Sequence, residues 1–447
     1  MKTESYIGKN QYYAESNPNR IEHTLPELLT DNSTVDPISV LLYLAFRYSP
    51  GTRTIFRDIR KVPPGFNQED GTLVAVDSPI KNSETITDWN TAAIAFTHLL
   101  RKEIEELPDS TPIGTTLTCG LDSNFAVSLA KDEGKDVVAY SAGFDTIDNE
   151  GIQAEVLARN LGIDHTFIHI DPTDYWSAFL SGIDLLNEPV APLTELPIYL
   201  LTQKKIFEDG IQHSMFGVGV DEVYNGYGKW IQFSSEVEQD FSSKYLYQNS
   251  FATLKWLSTI TNVDVETMVS EHLKNEIQLI SAAIPAWEKL SSQEKNRLLN
   301  IYWRLPSYEG EVTRITAQHN KLILHQPYYS RELIDLSFKI PAHFHQLKNG
   351  LEKPLIRHAA KGYLPDKVIT AAKTGCSINN VKTLDTIWTF PDFKDAVMRA
   401  VTQGPLSKLN LFRPLSIENE LNIGQDNSKF AKIVILDTFL KNNNIDN

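Results

Sequence analysis

Thr118, Asp122, Ser123 and Asn124 crowd together in the run Gly114-Thr-Thr-Leu-Thr-Cys-Gly-Leu-Asp-Ser-Asn124. Before them, Ile113 to Leu117 is apolar and β-branched, as in a buried strand; after them, Phe125 to Lys131 takes up helical spacing. A strand, a tight polar turn and a helix N-terminus make an anion site, because unpaired N–H groups converge there on the positive end of the helix. Thr118, Ser123 and Asn124 add side-chain donors, and Gly120 lets the backbone approach a ligand closely. Asp122 is the odd member. A carboxylate repels phosphate unless a cation lies between them, which points to Mg²⁺ bridging to a polyphosphate. The same stretch also describes an ordinary strand–helix turn capped by Asp or Ser.

A second cluster, Gly217-Val-Gly-Val-Asp221-Glu222-Val-Tyr-Asn-Gly226-Tyr227, sets paired carboxylates beside glycines at an expected strand end. If that strand lies next to the first, Asp122 and Asp221 reach one crevice and offer oxygens suited to Mg²⁺. A surface Asp-Glu pair capping a helix is the alternative.

The elements that must position these groups alternate. Strands are expected at Val137–Tyr140, His165–Ile170 and His213–Phe216, with helices at Glu150–Leu161 and Leu196–Phe207. This rhythm predicts an α/β fold, a doubly wound parallel sheet binding ligands at the strand C-terminal ends. Upstream, Met1 to about Pro37 reads as irregular, Ile38–Arg47 as an amphipathic helix and Thr85–Glu106 as a second helix. Downstream, Glu236 to about Phe344 and beyond reads as a mostly helical cover, and Lys441–Asn447 as a frayed tail.

Composition sets the outer bounds. At 447 residues the chain exceeds one typical domain. A net charge of -15 lacks the basic footprint of a nucleic-acid binder. Two cysteines, Cys119 and Cys376, supply neither a disulfide framework nor a Cys-based zinc site. No apolar run is long enough to span a bilayer, and the N-terminus has no apolar signal core, so a cytoplasmic protein is expected.

Thr118-Cys-Gly-Leu-Asp-Ser123 resembles the Ser-Gly-Gly-Leu-Asp-Ser pyrophosphate loop of the asparagine synthetase family, which includes β-lactam synthetase, carbapenam synthetase and lasso-peptide cyclases. Further segments follow in the family's order: Ser49–Phe56 and Arg60–Gly65, Ser141-Ala-Gly-Phe with Asn149-Glu150, Leu161–His165, Glu188-Pro189, Leu196–Leu201 and Gly217–Glu222. Gln326-Pro-Tyr-Tyr, Glu352–Arg357, Leu364-Pro and Lys373-Thr-Gly375 complete the series. Each is weak alone; the ordered set, running from about Ile38 to the end, is strong.

The resemblance implies an adenine nucleotide α-hydrolase-like fold and an ATP-dependent, AMP-forming carbon–nitrogen ligase. A substrate carboxylate attacks the α-phosphate of ATP, pyrophosphate leaves, and an amine displaces AMP to give an amide. It further implies that Asp122 and Asp221 hold Mg²⁺ and that Thr118, Gly120, Leu121, Ser123 and Gly219 bind pyrophosphate. Ser141 and Gly143 would lie along the adenosine, and Lys373, with Glu222 nearby, would carry the chemistry. Lys353 and Arg357, four apart, read instead as a structural ion-pair pattern. Residues 1–85 are expected to be a docked remnant of a glutaminase-like domain, and 86–447 the ligase domain.

Departures bear on the substrate. Position 2 is Lys2, not the cysteine nucleophile of glutamine-hydrolysing members, and the chain before Ile38 is short; a glutamine-independent enzyme using an organic amine or free ammonia is therefore expected. Val218 can do no acid–base work, which leaves Glu222, Glu188, Tyr199 and His325 as open alternatives. His325 and Ser330 replace the family's usual Arg and Asp, so aspartate specificity is not carried over. Cys119, replacing a loop glycine, reads as a space-filling side chain. The expectation is a ligase acting on a small molecule or peptide that carries the carboxylate and the amine, as in lactam or macrolactam formation. A tRNA-modifying enzyme fits less well, since the chain is acidic and lacks zinc-ligand cysteines. An inactive nucleotide-binding relative and an ammonia-dependent asparagine-type synthetase are the further alternatives.

Overall fold

The computed structural model describes residues 7–69, 72–80, 85–144, 150–227, 240–373, 387–388, 391–424 and 426–445. Asn149, Glu236, Thr374, Gly375 and Cys376, named above, lie outside them. The N-terminal stretch expected to be irregular is instead a small sheet. Strands β1 (Gln11–Ala14), β2 (Asn17–Glu22) and β3 (Ile59–Val62) run antiparallel in the order β2-β1-β3. These strands are short, and β2 is polar and largely exposed, so they carry little hydrophobic alternation. A hairpin of β4 (Phe66–Glu69) and β5 (Thr72–Ala75) follows.

Helix α1 (Pro37–Phe46), capped by Asp36, is not amphipathic as expected: every residue from Ser39 to Phe46 is buried. A helix that is apolar on all sides belongs inside, between layers. Helix α2 spans Trp89–Glu105 and starts later than Thr85, because the Asp88 carboxylate accepts from Thr91 N at 2.7 Å and sets the first turn. At the other end the expected frayed tail is ordered as far as it is described, with helix to Asn442 and Ile445 buried.

The second sheet is parallel throughout. It contains β6 (Ile113–Thr116), β7 (Val137–Gly143), β8 (Asp164–His169), β9 (His213–Met215) and β10 (Ile323–His325), in the order β10-β9-β6-β7-β8. Helices α3 (Leu121–Asp132), α4 (Glu150–Leu161), α5 (Pro172–Ile183) and α6 (Glu195–Glu208) connect its strands. Alternate residues of β7 divide between two clusters. Val137 and Ala139 join the main core with Phe125 of α3, while Val138 and Tyr140 pack with Ile206 of α6. Both faces are covered, as in a doubly wound fold. Close packing of α6 depends on Gly114, where a Cβ would come within 2.6 Å of Ile206.

From β6 the chain builds β7 and β8 to one side, then returns to lay β9 and β10 on the other. The strand order therefore reverses between β6 and β9, and a crevice opens outside their C-terminal ends. Over it lies the helical half, including a π-helix at Asn300–Glu309.

A buried polar knot ties the N-terminal sheet to this half. Lys61 on β3 meets Glu188 at 3.0 Å and donates to Ser49 O at 2.6 Å. Asn10 and Tyr12 also donate to Glu188, each at 3.2 Å, and Asn10 reaches Ser307 of the π-helix at 2.9 Å. The Lys61 and Glu188 side chains are only 1% and 2% exposed. Removing one charge strands the other in the interior, so Lys61→Met is expected to cost about 3–5 kcal/mol in urea unfolding. Lys61→Met/Glu188→Met, with no charge left to strand, should recover most of that loss.

Candidate active site

The loop after β6 is held in shape by its own side chains. Asn124 Nδ2 donates to Thr118 O at 2.8 Å and Gly120 O at 2.7 Å, while the Thr118 and Ser123 hydroxyls lie 3.1 Å apart. Gly120 N–H donates to Thr118 Oγ1 at 3.1 Å. Gly120 is the N-cap of α3, so the first turn from Leu121 presents its free N–H groups beside Thr118 and Ser123. Cys119 is half-buried against the core and its φ is not positive.

The loop after β9 comes up against this one. A Cβ on Gly217 would sit 3.5 Å from Ser123 N, which fixes how closely the two loops pass. Gly219, at φ 105, turns the chain into the short helix Val220–Val223. Gly226 packs on the Asp221 carboxylate, where a Cβ would lie 1.7 Å from Oδ1.

Lys353 joins the two loops. Its Nζ lies 2.5 Å from Asp122 Oδ2 and 2.7 Å from Asp221 Oδ1, and Asp221 Oδ2 meets Lys373 at 2.5 Å. This corrects the expectation of a structural pair at 353 and 357. The helix there is Pro354–Ala359, so Lys353 is its N-cap in the left-handed region at φ 53 and does not share a helical face with Arg357. Pro354 was the clue, since the residue before proline is kept out of the helical region. Arg357 does make an ion pair, with Glu352 at 2.8 Å.

Charges at this junction are strongly coupled. Burial works against the Lys353 ammonium, but Asp122 and Asp221 outweigh it and hold it above its ordinary range. Burial likewise opposes ionisation of Asp221, and Lys353 and Lys373 reverse this, holding it well below the usual carboxylate range. Asp122 feels Lys353 and Lys373 too, but only Lys353 touches it, and burial and the charge of Asp221 leave it raised.

A cavity of about 820 Å³ opens at the crevice. Thr118, Gly120, Leu121, Asp122, Ser123, Ser141, Asp221 and Lys373 all line it. Ser141 Oγ meets His165 Nε2 at 2.8 Å. Three expected site residues do not reach the wall. Gly143 closes β7, Gly219 serves the turn, and Glu222 lies one layer back, accepting from Tyr227 at 2.9 Å and Arg304 at 3.4 Å. Among the four acid–base alternatives, Tyr199 lines the cavity, Glu188 is locked in the knot, and His325 faces His213 at 3.0 Å. Sequence reading missed Arg47, Arg304, Glu309 and Lys432, which also line the cavity.

The donor set fits Mg²⁺. Asp122 and Asp221 converge within reach of one cation, and Asp122 Oδ1 is buried without a partner among the described residues. Hard carboxylate oxygens with room for ligand phosphates are what that ion takes.

The sequence profile described as Asparagine synthase matches residues 95–441. The chain belongs to the asparagine synthase family. A relative within the wider group is Asparagine synthetase [glutamine-hydrolyzing] 1 of Bacillus subtilis (strain 168), 21% identical over 382 residues, which cover 76% of this chain and 59% of that protein. The chain thus spans less than two thirds of that relative's length. Solved structures with local similarity include the NMN synthetase of Francisella tularensis, with 14% identity, 53% of this chain and 97% of that one, and a TM-score of 0.23. The NH3-dependent NAD synthetase of Campylobacter jejuni is similar at 15% identity, covering 47% and 93%, with a TM-score of 0.24. At such scores neither adds to what the strand order of this asparagine synthase family chain establishes. No helix among the described residues is long and apolar enough to cross a membrane.

The depressed Asp221 gives a pH test with a definite sign. Its ionised form stabilises the fold above the unfolded value of about 3.9, and that contribution is lost as the pH falls towards its folded value. Asp221→Asn should lower stability at neutral pH, and chemical unfolding should show the gap to wild type narrowing on acidification below about pH 4.

Proposed function

We propose that this chain is an ATP-dependent, AMP-forming carbon–nitrogen ligase that adenylates a substrate carboxylate and passes the acyl group to an amine. The observation that carries this reading is the meeting of Asp122 and Asp221 at Lys353, from two loops at the sheet's switch point. In it, Asp122 and Asp221 would hold Mg²⁺, which would supply charge neutralisation for the polyphosphate. Thr118, Ser123 and the α3 N-terminus from Gly120 and Leu121 cradle that pyrophosphate, and Ser141 lies along the adenosine. Gly143 and Gly219 shape the walls from behind. Lys373, half exposed and able to follow the ligand, balances charge as the adenylate forms and collapses; Lys353 keeps the two carboxylates in register. Glu222 acts through Tyr227 and Arg304.

The cavity lies near the upper end of the usual small-molecule range of about 300–1,000 Å³, which leaves room for an organic substrate beside the nucleotide. We therefore favour a glutamine-independent reaction on a small molecule or peptide bearing the carboxylate and the amine, including lactam or macrolactam closure. A reaction consuming ATP also suits the cytoplasm.

The test is ATP–pyrophosphate exchange with purified protein and Mg²⁺ against amino acids, β-amino acids and peptides, each with ammonium chloride, glutamine or no added amine. Exchange that depends on one class of acid is expected, falling by about 10²-fold or more in Asp122→Ala. Glutamine-dependent product would overturn the nucleophile assigned here. Failure of both exchange and Mg·ATP binding would overturn the ligase reading.

A further inference from the structure

Beside the phosphate loop lies a second, smaller cavity of about 280 Å³, between the start of α3, the end of α4 and the turn at 362–365. Leu157 lines both cavities; none of the other residues around the small one reaches the active-site cavity. The two spaces are neighbours with one side chain in common.

Asn124, fully buried, lines the small cavity and not the large one. Its Nδ2 gives both protons to the phosphate loop, to Thr118 O at 2.8 Å and to Gly120 O at 2.7 Å. Because both partners are carbonyl oxygens, the amide cannot be turned over. That fixes Oδ1 as the free end of the amide, and it is buried without a partner among the described residues. A buried acceptor in that state carries the full desolvation cost of an unmade hydrogen bond.

The rest of the wall says what would satisfy it. Leu157, Leu161, Leu364 and Pro365 are apolar, and the Tyr363 hydroxyl already accepts from Arg101 at 3.4 Å. Asn160, exposed at the rim, is the other polar side chain there. No charged side chain lines the cavity among the described residues, so an ion would lose its hydration without gaining a counter-charge. What fits is a neutral, largely apolar molecule with one N–H or O–H donor to set against Oδ1. The volume, just under the usual small-molecule range of about 300–1,000 Å³, suits one or two rings.

We propose that this cavity is an effector site, and that a neutral N–H or O–H donor bound in it tightens nucleotide binding. The inference rests on the reading of the loop after β6 as the pyrophosphate site. A proton donated to Oδ1 polarises the amide, so that Nδ2 bonds Thr118 O and Gly120 O more strongly. The loop is then held in one shape before the nucleotide arrives, and less ordering remains to oppose binding. Leu157 carries the same signal through packing, because a ligand against it keeps it on the wall that it shares with the active-site cavity.

The test uses the full chain with indole, which offers one N–H, and benzofuran, which has the same shape and no donor. Calorimetric titration should show indole binding about fivefold tighter than benzofuran or more. Saturating indole should tighten Mg·ATP binding by about fivefold or more, and Mg·ATP should tighten indole by the same factor. Leu161→Phe, which fills the cavity without adding a donor, should abolish indole binding and leave Mg·ATP binding unchanged. Absence of indole binding would leave an ordered water as the partner of Oδ1 and overturn the proposal. Equal binding of the two probes, or indole binding that survives in folded Leu161→Phe, would overturn it as well. So would Mg·ATP affinity that indole leaves unchanged or weakens, the latter placing indole in the large cavity. If Leu161→Phe fails to fold, the comparison of the two probes on wild type decides. Indole binding with the expected donor preference, in a protein that binds no Mg·ATP, would instead count against the nucleotide reading.

Discussion

Two half-buried carboxylates brought to the same point repel each other and resist ionising. The site depends on resolving that conflict at the Lys353 ammonium. Asp122 comes from the start of α3 and Asp221 from the turn after β9, and Lys353 arrives from a helix start far along the chain. A single cation thus gathers three separate segments at the point where the strand order reverses. Because the link is ionic and Asp221 also holds the more exposed Lys373, these charges can redistribute without dismantling the loops.

Much of the sheet and the phosphate loop was legible in the sequence, since both are local. Strand, polar turn and helix follow one another within Ile113–Lys131, and the β-α alternation needs no knowledge of distant contacts. Membership of the asparagine synthase family was equally legible, because its motifs come in order along the chain. What escaped was non-local or off the usual period. Lys353 reads as one end of an i,i+4 pair until the chain turns left-handed before Pro354. Glu309 sits where a 3.6-residue period would face it away from the cavity, and Pro306 alone hinted otherwise. The N-terminal strands are too short to show alternation; they have no core of their own but pack Tyr12, Tyr13, Ile59 and Val62 into the main one and pair Lys61 with Glu188.

The wall of the cavity is supported in two ways. Around the loops after β6 and β9 it rests on backbone: a helix N-terminus, a tight turn and glycines at which loops nearly touch. Another part of the wall is built on side chains, with Arg47 just after α1, Glu195 of α6 and Arg304 and Glu309 of the π-helix all lining the cavity. Backbone suits a ligand part that never changes, and side chains suit one that does.

The knot at Glu188 gives the N-terminal sheet a stake in the π-helix side of the cavity. Asn10 and Lys61 both reach Ser307, which lies between Arg304 and Glu309 on the π-helix. The small sheet is thus a brace for the π-helix wall of the cavity. Exchanging residues 10–62 between relatives would move part of that bracing, and such a chimaera would need Glu188 and Ser307 to travel with the borrowed piece.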